Sequence, residues 1–148
     1  MDPIDPPADE VACCDSQRAC VFAKALLSQQ AHCGMVRRLA LAERELLECS
    51  CPAARADCAS LAALLRERAR FALRLPPQCR PLMHQQALRL QCGGLHALQQ
   101  VLDGEGRDVR GLLELAQSRH GSLGELSWAP LVEALARWQP PRRGRPRA

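Results

Sequence analysis

The chain has 148 residues, 47% of them hydrophobic, which is enough for one domain around one core. Phe22, Phe71, Trp128 and Trp138 are its only aromatic residues, so the interior is built mainly from Leu, Ala and Val, a composition that favours helices over sheets. Arg142, Arg143, Arg145 and Arg147 account for the whole net charge of +4, leaving a neutral body and excluding a broadly basic nucleic-acid binder.

Residues 1–12 read as a disordered lead-in, because Pro3, Pro6 and Pro7 break any helix. This end is acidic, with Asp2, Asp5, Asp9, Glu10 and Asp15. It lacks the basic and then apolar pattern of a secretory signal, and no apolar run reaches the ~18 residues of a membrane span. The expected location is the cytoplasm, where thiols stay reduced. Lys24 is the single lysine among many arginines, a habit of GC-rich bacterial genomes.

Residues 13–139 are expected to form a single helical domain. Phe22, Leu26, Cys33 and Val36 recur at helical spacing, which predicts a helical stretch from Asp15 to Cys49, divided or kinked at Gly34. Its second half, Val36 to Glu48, would turn Leu39, Leu46 and Leu47 inward and Arg37, Arg38, Glu43 and Glu45 outward. Cys51 precedes Pro52 and should be extended, with Pro52 opening the next helix. That helix, Ala53 to Leu75, places Cys58, Leu61, Leu65, Ala72 and Leu75 on one face. Residues 76–81 form a loop. A further helix covers Leu82 to Leu102, with Leu88, Cys92, Leu95 and Leu102 in a stripe. A shorter one spans Asp108 to Arg119. Ser122 and Glu125 form a capping box for the last helix, which ends near Trp138. Residues 140–148 are a basic disordered tail. No period-two alternation marks a strand, so the expected fold is all-α: a compact bundle of five to six helices with disordered N- and C-terminal ends.

Nine cysteines are the strongest chemical signal in the chain. An odd count argues against a fully paired disulfide framework. Any one of them is a small buried hydrophobe by default. Cys33, Cys58 and Cys92 nevertheless fall on the inward stripe of different helical segments, and Cys49 or Cys51 adds a thiol at the intervening turn. Soft thiolates gathered from separate helices suit an iron–sulfur cluster or zinc. Gly34 follows Cys33, while Gly93 and Gly94 follow Cys92; close approach of a cluster or tight helix packing would each explain them. The predicted ligands of one [4Fe-4S] cluster are therefore Cys33, Cys49, Cys58 and Cys92, with Cys51 the alternative to Cys49. Zinc is the alternative occupant.

Cys13, Cys14 and Cys20 form a second, weaker group, which would need Cys79 or His32 to complete a site. Cys20 and Cys79 alone read as core or simple exposed thiols. No nucleophile–base signature, phosphate loop or zinc-protease motif is present, so enzymatic catalysis is not expected. The expected role is electron transfer to a protein redox partner, or redox sensing. A helical zinc protein and a metal-free interaction module are the alternatives. Arg66, Arg68, Arg70 and Arg74 form a docking face for an acidic partner, unless they pair with Glu43, Glu45 and Glu48. Nucleic acid would have the basic tail alone to bind. Oligomeric state is not legible.

Overall fold

A computed structural model of the chain describes residues 18–104, 106 and 108–141. The lead-in at 1–12, Cys13, Cys14 and the arginines of the tail lie outside the described residues.

The order of elements is a short helix α1 (Ala23–Leu27), strands β1 (Val36–Leu41) and β2 (Arg44–Cys49), then helices α2 (Pro52–Ala69), α3 (His84–Leu102), α4 (Val109–His120) and α5 (Trp128–Arg137). A 3-10 turn at Leu123–Glu125 precedes α5. The all-α expectation is therefore overturned by a two-stranded antiparallel sheet. Among the described residues the fold is mixed, with five helices and one hairpin.

The correction falls on Val36 to Cys49. Its Ala, Leu, Arg and Glu content favours helix, but such propensity is weak and tertiary context overrides it. The chain instead reverses at Ala42 and Glu43, with Ala42 at φ 56°, and Leu41 pairs with Arg44. Positive φ in a two-residue hairpin loop matches the twist of the flanking strands. Val36, Leu47 and Cys49 share the face that meets the core at the base of the hairpin. Leu47 is buried, while Leu39 and Leu46 pair on the opposite, open face. Two backbone bonds act on the hairpin, the first tying it to the residues before α1 and the second closing its own base. The Cys20 N–H donates to the Leu47 carbonyl at 2.9 Å, and the Ser50 N–H donates to the Met35 carbonyl at 2.8 Å.

Among the described residues from Ala19 to Cys49, the predicted helix is reduced to α1. Downstream the expected helices are present, with corrections at their ends. Cys51 is extended (φ −125°, ψ 109°) and Pro52 opens α2. Helix α2 ends at Ala69, and Leu75 returns to the core through a turn in which Arg74 has φ 53°. Helix α3 begins at His84, two residues after the expected Leu82, and ends at Leu102 as expected, and Asp108 caps α4 by accepting from the Gly111 N–H at 3.1 Å. The expected capping box at Ser122 does not form; Ser127 precedes α5 instead.

Helix α3 is the central element and packs most closely on α5. Gly94 permits the crossing with α2: a Cβ there would lie 2.7 Å from Leu65 Cδ1. Gly93 lies against Trp138 and the Leu135 carbonyl of α5. Helix packing thus explains both glycines. Among the described residues, no heavy atom lies within 4 Å of a Cβ built on Gly34, so helix packing does not explain this glycine. Among the described residues, no helix is long and apolar enough to cross a membrane.

Candidate thiolate metal centre

The local folds that carry the thiols are set by their neighbours. Phe22, Ala25 and Leu26 bury α1, leaving Cys20 in the irregular residues before it. The Cys20–Leu47 backbone bond then brings this loop against β2. Cys33 lies in the loop before β1, where its carbonyl accepts from the Val36 N–H. Cys49 ends β2 on the core-facing side. Cys58 lies in the second turn of α2, after Pro52 has started the helix.

These four residues line one small cavity of about 20 Å³. Val21, Phe22, Val36, Ala54 and Val109 supply its apolar wall, and Arg55 and Arg110 complete it. All four thiols are half-buried and free. Among the described residues, no group of three or more His, Cys, Asp or Glu side chains already stands as a ready-made metal site. The thiols surround a void and would have to draw inward to share one ion.

Their mutual influence shows in the ionisation of two of them. Burial pushes the Cys58 thiol up to about 12, and neighbouring Cys33, Cys20 and Cys49 add to the rise; Arg110 opposes it. Burial also raises Cys20, opposed by the Phe22 backbone N–H, with Cys33 and Cys49 again raising it and Arg55 lowering it. Crowded thiols in apolar surroundings resist ionisation because each thiolate lacks solvent and repels the next. A cation among them removes both penalties.

The two arginines are held in place. Arg110 donates to Asp57 Oδ2 at 3.0 Å and to Glu114 Oε1 at 3.1 Å. Arg55 Nε donates to the Ala19 carbonyl at 2.9 Å. Their positive charge faces a site that would carry net negative charge with four thiolates on a divalent ion.

Of the sequence-predicted ligands, Cys33, Cys49 and Cys58 line this cavity; Cys51 and Cys92 do not. Cys51 precedes α2, and its carbonyl accepts from Cys49 Sγ at 3.2 Å. Cys92 is buried on α3, 3.5 Å from Ser28 Oγ. It opens on a separate cleft of about 820 Å³ shared with Lys24, His84 and Trp138. Burial raises its thiol too, countered by the Ser28 hydrogen bond. Cys20 takes the fourth place at the cavity. No local signal distinguishes it in the sequence, because its partnership runs through a hairpin that the composition conceals. Cys79 is exposed, and His32 is engaged through its backbone carbonyl, which accepts from the Val109 N–H.

No protein-family model matches the chain, and neither does any curated protein or solved structure.

Proposed function

We propose that this protein holds one tetrahedral thiophilic metal ion, zinc by its chemistry, between Cys20, Cys33, Cys49 and Cys58. The carrying observation is the convergence of four free thiols from four separate segments on one small, largely apolar cavity. The cavity admits little more than one water-sized sphere between the thiols, which suits a single ion reached by small side-chain movements. Four-cysteine sites with no open position are structural, and zinc–sulfur bonds of about 2.3 Å would pull the side chains inward. Such an ion would pin the α1 loop and the hairpin base to α2. The hairpin needs that help, since Leu47 is its one fully buried side chain among the described residues. The protein would then act as a metal-stapled interaction module.

A [4Fe-4S] cluster on the same thiols, in electron transfer or redox sensing, is the second reading. Cys20, Cys33 and Cys49 lie outside helices, and this favours it because such segments separate more easily to admit a larger group.

The test is metal and acid-labile sulfide analysis of protein purified without oxygen. About one zinc per chain without sulfide supports the first reading. About four iron and four sulfide per chain supports the second. Folded protein that carries neither and takes up neither on reconstitution excludes both.

A further inference from the structure

A second feature shares Val21 and Phe22 with the thiol cavity. An apolar groove of about 330 Å³ is lined by those two residues together with Ala62, Leu65, Leu82 and Leu90. Arg66 and Gln78 stand at its polar edge, and Ala63 borders it from α2.

The segment from Arg66 to Arg80 carries five arginines and one acidic residue, Glu67. None of these arginines takes part in an ion pair among the described residues. The glutamates that might have neutralised them lie elsewhere; Glu45, for example, pairs with Arg38 across the hairpin. Arg66 is spent on structure, donating to the carbonyls of Pro76, Pro77 and Arg80 and so fastening the loop beside the groove. Arg68 stacks over Trp128, 5.6 Å from the ring centroid. Arg70, Arg74 and Arg80 are exposed, with Arg70 lying over the exposed Phe71 ring, 5.8 Å from its centroid, and the large apolar side chain of Met83 also stands in solvent.

Arg66 and Gln78 bring the Arg66–Arg80 segment, with its cations free of ion pairs among the described residues, to the edge of the apolar groove, and this combination is complementary to one kind of ligand. We propose that this surface docks a segment of a partner protein that carries acidic and aliphatic side chains together. The aliphatic residues fill the groove, and the carboxylates meet Arg70, Arg74 and Arg80. Burial of apolar side chains supplies affinity, while the charges steer approach and fix orientation. Nucleic acid fits less well, because Phe22 is the single aromatic residue among the groove's lining, which offers no row of rings for base stacking. The groove shares Val21 and Phe22 with the thiol cavity, so a docked segment would lie against the wall of that site. The inference does not rest on what the thiols hold.

The test uses fluorescence anisotropy with three labelled probes: a synthetic peptide of glutamate and leucine at helical spacing, a peptide of glutamate alone, and a single-stranded oligonucleotide. Full-length protein is measured as purified and after chelation, at low and high salt. The glutamate–leucine peptide should bind most tightly. Arg70→Glu with Arg80→Glu should weaken it at least about tenfold and flatten its salt dependence. Ala63→Glu, an exposed helical position, should weaken it as well by placing like charge at the groove. Thermal melts establish that both variants remain folded. Absence of peptide binding, equal binding by folded variants, or tighter binding of the oligonucleotide would overturn the proposal. Peptide binding that survives loss of metal leaves it standing even if the metal reading fails.

Discussion

The Cys20 N–H donates to the Leu47 carbonyl at 2.9 Å, two residues before Cys49 on the same strand. This one backbone bond sets the α1 loop beside β2 and delivers two thiols to a common cavity. The ligand set of the proposed centre follows from it. Cys20→Ser, Cys33→Ser, Cys49→Ser and Cys58→Ser should each sharply reduce bound metal, whereas Cys51→Ser and Cys92→Ser should retain it. Metal content per chain on purified variants decides this. Full occupancy in Cys20→Ser with loss in Cys92→Ser would point back to the ligand set that helical spacing suggests.

Proton linkage supplies a second check. The folded state raises Cys58 from 9.0 to about 12, so at pH values between these the folded metal-free protein binds more protons than the unfolded chain. Its contribution to stability is therefore fully present below pH 9.0 and is lost as pH rises towards about 12. Metal-free protein should melt at progressively lower temperature across that window, and Cys58→Ser should flatten the decline. Metal uptake has the opposite sense: it displaces thiol protons, so affinity should increase with pH. A metal affinity indifferent to pH between 6 and 8, with no proton release, would count against thiolate ligation.

The hairpin is the third. Leu47→Ala removes a buried side chain from the base of β2 and should cost about 2–5 kcal/mol. Leu39 and Leu46 face outward, so alanine at either should change stability by no more than about 0.5 kcal/mol. Were the segment a helix with all three leucines inward, the three substitutions would cost similar amounts. Chemical denaturation of the three variants separates the two cases.

The glycines make a fourth. Gly94→Ala gains about 1 kcal/mol of helix propensity but drives its Cβ to 2.7 Å from Leu65 Cδ1, in a core where overpacking costs about 1–3 kcal/mol. A net loss of roughly 1 kcal/mol is expected, with recovery when Leu65→Val relieves the crowding. Gly34→Ala meets open space and should be tolerated. Loss of folding in Gly34→Ala would show that Gly34 has a role beyond the contacts seen here.

By itself, the sequence determined the helical half of this protein. Pro52 behind an extended Cys51, the stripe through Leu88, Cys92, Leu95 and Leu102, and the helix start at Asp108 are local signals whose causes lie within a turn or two of chain. It also determined that thiols are the chemistry on offer. Tertiary structure alone decided the hairpin, because Val36 to Cys49 is made of helix formers and is held extended by remote partners: Ala19 and Cys20 beside β2, and the burial of Leu47. The same long-range pairing decided which thiols meet. Cys92 satisfies every helical rule for facing inward and does so, but α3 carries it to the Ser28 side of the core. Cys20 follows no rule that spacing can read, yet one strand-like pairing puts it with Cys33, Cys49 and Cys58. Periodicity reports that a side chain is buried; which other side chains it meets there depends on how the elements cross, and that is set by contacts far apart in the chain.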